Sequence, residues 1–167
     1  MKSFLNFLTY SRILLTPIII YFILNNNFIY AGLIFAYCSI SDVADGRIAR
    51  KFKLVSEHGN YMDPLADKVL MIGTLSALFI LKIMPLWAFI VICGRDIIIT
   101  VYRNYLIRKN KPLVTSQYGK FKTVFQHIMV LIILLSNPTE NILNIIISIN
   151  AIYAASTGIH YFVKNGF

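Results

Sequence analysis

Apolar residues run through this chain in long blocks that short polar segments separate. Each block approaches the length of about 20 residues that a helix needs to cross the hydrocarbon core of a membrane. The blocks lack the regular polar and apolar alternation of the strands in a transmembrane barrel. We therefore predict an all-α, polytopic membrane protein with six transmembrane helices, at about Leu8–Leu24, Phe28–Lys53, Met62–Leu81, Pro85–Arg108, Gly119–Leu135 and Asn141–Val163.

Polar segments mark the ends of these helices. Residues 2–12 mix polar and apolar side chains at helical spacing, which predicts a short N-terminal interfacial helix running into the first span. Loops are predicted at Leu54–Tyr61 and Lys109–Tyr118, and tight turns at the other junctions. We expect no cleavable signal peptide, because no small-residue cleavage site follows the first apolar block. Residues 1–167 are predicted to form one domain.

The charged residues are few and are distributed unevenly. Apolar residues make up 57% of the chain and charged residues 14%, which leaves too little polar surface for a soluble domain of this size. Of the sixteen lysines and arginines, all but Lys82 and Arg95 fall on the side of the two termini. The positive-inside rule makes that side cytoplasmic, in a bacterial-type inner membrane. The net charge of +9 then faces an anionic lipid bilayer, and we expect no nucleic-acid partner.

Four of the seven acidic residues lie close together in the sequence, as two pairs. Asp42 and Asp45 are three residues apart, and Asp63 and Asp67 are four apart. On helices these spacings place the members of a pair about 60° and 40° apart, so each pair shares a face. Both pairs are expected at the cytoplasmic ends of neighbouring antiparallel helices, where the two faces can meet.

Four adjacent carboxylates need counter-charge, and two divalent cations would balance them. Oxygen ligands suit Mg²⁺ or Mn²⁺, whereas zinc prefers histidine or cysteine. Small residues at Gly46, Ala49 and Gly59 would let a ligand approach the backbone, and Arg50 can bind a phosphate through two hydrogen bonds. The residues thus predict a metal site for a diphosphate ligand. The alternative is that the acids cap helix ends or pair with nearby basic residues, namely Arg47, Arg50 and Lys53.

The spacing of these residues resembles a known signature. The sequence reads Asp42-x2-Asp45-Gly46-x2-Ala49-Arg50-x8-Gly59-x3-Asp63-x3-Asp67. It is similar at every position to the signature of the CDP-alcohol phosphatidyltransferases. The resemblance implies an enzyme that transfers a phosphatidyl group from CDP-diacylglycerol to an alcohol and releases CMP, with two metal ions and a homodimeric assembly.

The same resemblance implies roles for individual residues. The four aspartates would hold the metal ions, and Asp67 would also be the general base for the acceptor hydroxyl. Arg50 would contact the diphosphate of the CDP-lipid. The small residues would leave room for its nucleotide, at Gly46, Ala49 and Gly59.

The acceptor is indicated by stretches outside the signature. They resemble the phosphatidylglycerophosphate synthase branch of the family: Asn6-x2-Thr9-x2-Arg12, Asp63-Pro64-Leu65-Ala66-Asp67-Lys68, Gly94-Arg95-Asp96 and Gly119-Lys120-x-Lys122-Thr123-x2-Gln126. The implied acceptor is glycerol 3-phosphate, a dianion that needs a basic pocket. We predict that pocket from Arg95, an arginine within a membrane span, with Arg103, Lys120 and Lys122. Arg95 could instead form a structural pair with Asp96 or bind backbone carbonyls.

Other functions fit parts of the pattern. Within the family, the acceptor could be phosphatidylglycerol, as in a cardiolipin synthase, or inositol phosphate. The run Val101-Tyr102-Arg103 stands where the glycerophosphate branch often has a Gly-Leu-Arg-like run. Outside enzymes, the acids could belong to a divalent-cation transporter or to an inactive lipid-binding scaffold. Clustering of the acids at one membrane face argues against a permeation path.

Overall fold

The computed structural model describes residues 2–51, 57–109 and 117–165, and the side chains of 9–43, 62–106, 109, 119 and 121–164. Six α-helices and no strand occupy this part of the chain. They are α1 (Lys2–Leu24), α2 (Phe28–Lys51), α3 (Glu57–Ile80), α4 (Leu86–Arg108), α5 (Gln117–Ser136) and α6 (Glu140–Asn165). The all-α fold class and the helix count agree with the sequence prediction.

One boundary differs from the prediction. The segment 2–12 and the first span form one uninterrupted helix, α1, as expected for an entry helix that runs into the first span. The loop predicted at Leu54–Tyr61 is wrong in its second half, because α3 already begins at Glu57. Hydropathy reports where a helix leaves an apolar environment, and a helix continues beyond that point while its residues permit helical backbone. The loop predicted at Lys109–Tyr118 lies mostly outside the described residues.

Asparagine and lysine residues in left-handed backbone end three of the helices. Asn26, Lys82 and Asn137 have φ values of 59°, 60° and 41°. After α1, the backbone N–H of Asn27 donates to Phe22 O at 2.8 Å, which satisfies a carbonyl at the helix end. Asparagine adopts this conformation more readily than most residues, and Pro138 then prevents α5 from continuing.

The helices form two compact units. The first unit contains α1, α2 and α3 with residues 134–136, and α1 packs against both α2 and α3. Its buried core includes Ile19, Phe35 and Leu78. A Cβ added at Gly73 of α3 would lie 2.8 Å from Thr16 Cγ2, so α1 and α3 approach closely there. Small residues permit such contacts between helices in membranes.

The second unit contains α4, the rest of α5 and α6, with α4 packed against α6. Both helices contain buried alanines, Ala88 in α4 and Ala151 and Ala154 in α6. Their small side chains allow close packing of helices, as in the first unit.

Large apolar side chains are exposed on all six helices, for example Leu14, Ile40, Ile80, Val101, Phe121 and Val163. Such outer faces fit contact with lipid, the environment of a polytopic membrane protein. Among the described residues, one helical segment is long and apolar enough by itself to cross a membrane, Glu140–Lys164. Three shorter apolar segments lie in α1, α2 and α5. The topology of six spans stays a prediction.

Candidate functional sites

The two acid pairs lie on helices, as their spacing predicts. Asp42 and Asp45 are in the second half of α2, and Asp63 and Asp67 are in the first half of α3. Of these, the side chains of Asp42, Asp63 and Asp67 are described and are partly buried. The signature residues Gly46, Ala49 and Arg50 are in α2 and Gly59 is in α3, but their surroundings, like the side chain of Asp45, lie outside the described part.

Arg12 of α1 is the cationic partner of Asp42. Its Nη1 forms an ion pair with Asp42 Oδ1. The Arg12 side chain is 1% exposed and that of Asp42 is 35% exposed. A buried guanidinium needs a hydrogen-bonded counter-charge, so this pair fixes both side chains. Thr16 donates its hydroxyl to the Arg12 carbonyl at 2.8 Å, one turn further along α1.

Thr9 of α1 binds an acid of the other pair. Its Oγ1 donates to Asp63 Oδ1 at 2.6 Å, and the residue is buried. Thr9 and Arg12 are three residues apart, which places them about 60° apart on the helix. Helix α1 therefore supplies a hydroxyl to Asp63 and a cation to Asp42 from one face. We refer to Thr9, Arg12, Asp42 and Asp63, together with Asp67 about one helical turn beyond Asp63 on α3, as the acid cluster.

The contacts of Thr9 and Arg12 were not predicted from the sequence, which offered only their resemblance to the family. Their spacing was the available signal, because polar residues three apart on a helix share a face.

The aspartates of the acid cluster suit a hard divalent cation, because carboxylates offer only oxygen ligands. Among the residues whose side chains are described, no group of three from His, Cys, Asp and Glu lies close enough to hold a metal ion. Asp45, the fourth predicted ligand, is not among those side chains. In their chemistry, the predicted ligands fit Mg²⁺ or Mn²⁺ and do not fit zinc.

A second cluster of charges lies in the unit formed by α4, α5 and α6. Asp96 Oδ1 accepts hydrogen bonds from Arg95 Nη1 at 3.0 Å and from Lys122 Nζ at 2.6 Å. Lys122 Nζ also donates to Asp96 Oδ2 at 2.5 Å and to Gln126 Oε1. Arg95 Nη2 donates to Thr157 Oγ1 of α6 at 3.3 Å. We call Arg95, Asp96, Lys122, Gln126 and Thr157 the basic cluster.

This cluster brings together two of the four residues predicted to bind the acceptor phosphate. Lys122 is 2% exposed, and the side chains of Arg95 and Asp96 are each 15% exposed. Two cations share one carboxylate, so the charged side chains of the cluster carry a net charge of +1. The pairing of Arg95 with Asp96, which the sequence left open, is present, and it occurs together with the grouping of Arg95 and Lys122.

Arg103 and Lys120, the other two residues predicted to bind the acceptor phosphate, are not members of the basic cluster. Arg103 is exposed on α4, eight residues beyond Arg95 or about 12 Å along the helix. Lys120 is in α5, with its side chain outside the described part. From the sequence, Asp96 was named only within the Gly94-Arg95-Asp96 stretch and as a structural partner of Arg95, and Thr157 was given no role. An acid beside an arginine within an apolar helix was the available signal for Asp96.

Comparison with known proteins adds an independent observation. The family model described as CDP-alcohol phosphatidyltransferase matches residues 4–157. A CDP-diacylglycerol–glycerol-3-phosphate 3-phosphatidyltransferase of Rickettsia typhi is 32% identical, over 97% of this chain and 96% of the relative. A protein of the same name from Aquifex aeolicus is 37% identical, over 72% of this chain and 68% of the relative.

A further similarity concerns part of a longer protein. A cardiolipin synthase (CMP-forming) / mitochondrial hydrolase fusion protein of Schizosaccharomyces pombe is 40% identical, over 64% of this chain and 18% of the relative. The family match covers nearly the whole chain, including both acid pairs and the basic cluster. The chain therefore belongs to the CDP-alcohol phosphatidyltransferase family.

Proposed function

We propose that this protein transfers the phosphatidyl group of CDP-diacylglycerol to glycerol 3-phosphate, giving phosphatidylglycerophosphate and CMP in phospholipid biosynthesis. The basic cluster is the observation that carries the acceptor assignment. Two buried or nearly buried cations around one carboxylate leave a net positive charge that suits a phosphate dianion. The names of the Rickettsia and Aquifex relatives support the same acceptor.

The acids would act at the reacting phosphorus. In this proposal Asp42, Asp45, Asp63 and Asp67 hold two Mg²⁺ or Mn²⁺ ions, which would neutralise the diphosphate and stabilise the departing CMP. Asp67 takes the proton of the acceptor hydroxyl while the oxygen of that hydroxyl forms the new bond to phosphorus. The bond between that phosphorus and the CMP oxygen breaks, and CMP leaves with the bonding electrons.

Within the acid cluster, Thr9 and Arg12 would hold two of the carboxylates in place. Thr9 orients Asp63 through its hydrogen bond, and Arg12 orients Asp42 through the ion pair. Arg50 would contact the diphosphate. The nucleotide would lie against small residues of α2 and α3, at Gly46, Ala49 and Gly59.

The acceptor phosphate would bind to Arg95 and Lys122, with Arg103 and Lys120 adding positive charge nearer the cytoplasm. We further propose that residues 1–167 act as one domain of a homodimer. Each subunit would span an anionic inner membrane six times, with both termini and the acids on the cytoplasmic side. Acyl chains then stay in lipid while the headgroups meet water.

A cardiolipin synthase that uses phosphatidylglycerol as acceptor is the second candidate, which the Schizosaccharomyces relative favours. Its acceptor carries one negative charge on a diester. Two relatives of this chain, from Rickettsia typhi and Aquifex aeolicus, are named for transfer to glycerol 3-phosphate, and for that reason we rank that acceptor first. Inositol phosphate is the third candidate acceptor.

The deciding experiment measures CMP release by the purified protein in lipid nanodiscs containing CDP-diacylglycerol. We expect release with glycerol 3-phosphate that requires Mg²⁺ or Mn²⁺ and stops with EDTA. Mass spectrometry should identify phosphatidylglycerophosphate as the lipid product. Release with phosphatidylglycerol or inositol phosphate alone would overturn the acceptor assignment. No CMP release with any of the three, together with Mg²⁺ flux into liposomes, would favour a transporter instead.

A further inference from the structure

Asp96 contacts both cations of the basic cluster. One carboxylate oxygen, Oδ1, accepts from Arg95 and from Lys122, and the other, Oδ2, also accepts from Lys122. The two cations come from different helices, α4 and α5. A single carboxylate therefore sets the separation and the orientation of the two groups that the proposed function assigns to the acceptor phosphate.

The rest of the cluster limits how far these side chains can move. Gln126 accepts a third hydrogen bond from Lys122, and Thr157 accepts one from Arg95. A Cβ added at Gly158 would lie 3.2 Å from Arg95 Cγ, so the stem of the arginine lies close against α6. The cluster is thus built to hold defined side-chain positions.

Arg95 also has a further hydrogen-bond donor, Nε. Its Nε is buried and has no hydrogen-bond partner among the described residues. A buried N–H donor without a partner is unfavourable, and a phosphate oxygen at this position would satisfy it. This observation is independent of the charge count, and it points to an anionic ligand on Arg95.

We propose that Asp96 is a positioning residue for the acceptor phosphate, one that holds Arg95 and Lys122 in the arrangement that binds it. The inference rests on the proposed use of glycerol 3-phosphate. Asp96 acts through its two basic neighbours and does not itself contact the phosphate, which its negative charge would repel. Its benefit is preorganisation, because both cations are fixed before the ligand arrives.

The direction in which Asp96→Asn changes the KM for glycerol 3-phosphate distinguishes a positioning role from a purely electrostatic one. Asp96→Asn removes a negative charge, so electrostatics alone predicts tighter binding of a dianion and a lower KM for glycerol 3-phosphate. Loss of positioning predicts a higher KM. A merely structural role predicts lower thermal stability with equal effects on both substrates.

The test is steady-state kinetics of the full chain in nanodiscs, with thermal unfolding measured in parallel. We expect Asp96→Asn to raise the KM for glycerol 3-phosphate about tenfold or more and to leave that for CDP-diacylglycerol unchanged. Asp96→Glu keeps the charge but displaces it, and its KM should lie between those of Asp96→Asn and the wild type. If Asp96→Asn does not fold, Asp96→Glu alone decides: a wild-type KM would overturn the proposal.

Asn150→Ala is the matched control. Asn150 lies in the same unit, is buried and donates to the Phe125 carbonyl at 3.2 Å, outside the basic cluster. This variant should lower the unfolding temperature without changing the ratio of the two KM values. An equal change of that ratio in Asn150→Ala and Asp96→Asn would overturn the proposal.

A binding measurement tests the role of Asp96 even if glycerol 3-phosphate is not the acceptor. If the wild type does not use glycerol 3-phosphate, the proposed acceptor fails, and protection against thermal unfolding by inorganic phosphate then tests Asp96. Protection of the wild type that is lost in Asp96→Asn supports positioning of an anion site. Equal protection of both proteins, or protection of neither, overturns it.

Discussion

Arg12 and Asp42 form an ion pair between α1 and α2 in which the arginine is buried and the aspartate is partly exposed. The protein's own cation thus faces one of the carboxylates proposed to bind metal. Arg12 fixes the position of Asp42 and also reduces the negative charge that a divalent ion would meet. These two effects can be separated by measuring stability and metal binding on the same variants.

Arg12→Gln should make metal binding stronger while making the protein less stable. Without the guanidinium, the charge of Asp42 is available to the metal. We therefore expect a fall of about fivefold in the midpoint, the Mn²⁺ concentration that gives half of the maximal rise in unfolding temperature. This change is equivalent to about 1 kcal/mol, as expected for a partly exposed ion pair. The unfolding temperature without metal should also fall. Lys82→Gln removes an exposed charge in a turn and should leave the midpoint unchanged. A higher midpoint in Arg12→Gln would contradict this competition.

Thr9→Val should weaken the acid cluster through the loss of one hydrogen bond. Valine keeps the shape of threonine, but it cannot donate to Asp63 Oδ1. Because the acceptor is charged, we expect the free energy of unfolding to fall by about 1.5–3 kcal/mol. Thr9→Ser retains the hydroxyl and should lose much less. Denaturant titration in detergent micelles measures both, and equal losses in the two variants would assign the effect to packing.

Gly73→Ala should disturb the contact between α1 and α3. The new Cβ would meet Thr16 Cγ2 at 2.8 Å, and Thr16 cannot rotate away without breaking its hydrogen bond to the Arg12 carbonyl. Overpacking of this kind costs about 1–3 kcal/mol. Gly94→Ala is the control, because nothing lies within 4 Å of its added Cβ. Thermal unfolding should show a loss for Gly73→Ala and none for Gly94→Ala, and a loss of similar size in both would refute the steric argument.

Asp67→Asn should lower turnover about 100-fold or more without preventing folding. A proton acceptor near the acceptor hydroxyl contributes about 100-fold or more to the rate, and asparagine cannot take the proton. CMP release under saturating substrates measures the effect, with thermal unfolding as the check on folding. Full turnover in this variant would rule out Asp67 as the general base even if the enzyme reaction is confirmed.

Arg95→Ala should act on the acceptor rather than on the CDP-lipid. Losing a charged hydrogen bond to the phosphate is worth about 1.5–3 kcal/mol, so the KM for glycerol 3-phosphate should rise about tenfold or more. Arg103→Ala removes an exposed arginine from the same helix and should raise it much less. Equal increases in the KM values of both substrates for Arg95→Ala would indicate a role in folding.

The helices and the family were accessible from the sequence alone. Lipid imposes helical backbone on long apolar runs, and the helical period fixes which neighbours share a face. For this reason the pairs Asp42 with Asp45 and Asp63 with Asp67 could be placed on helices, and the family signature recognised, from residue spacing. The second half of the predicted loop at 54–61 was wrong, because polar composition marks the end of an apolar run and not the end of a helix.

Only the tertiary structure showed which side chains from different helices meet. Arg12 binds Asp42 across 30 positions of the chain, Thr9 binds Asp63 across 54, and Lys122 binds Asp96 across 26. Such contacts depend on how each helix is rotated and packed against its neighbours, which local spacing does not specify. The sequence determined that acids and cations lie on helices in this protein, and packing decided which cation faces which acid.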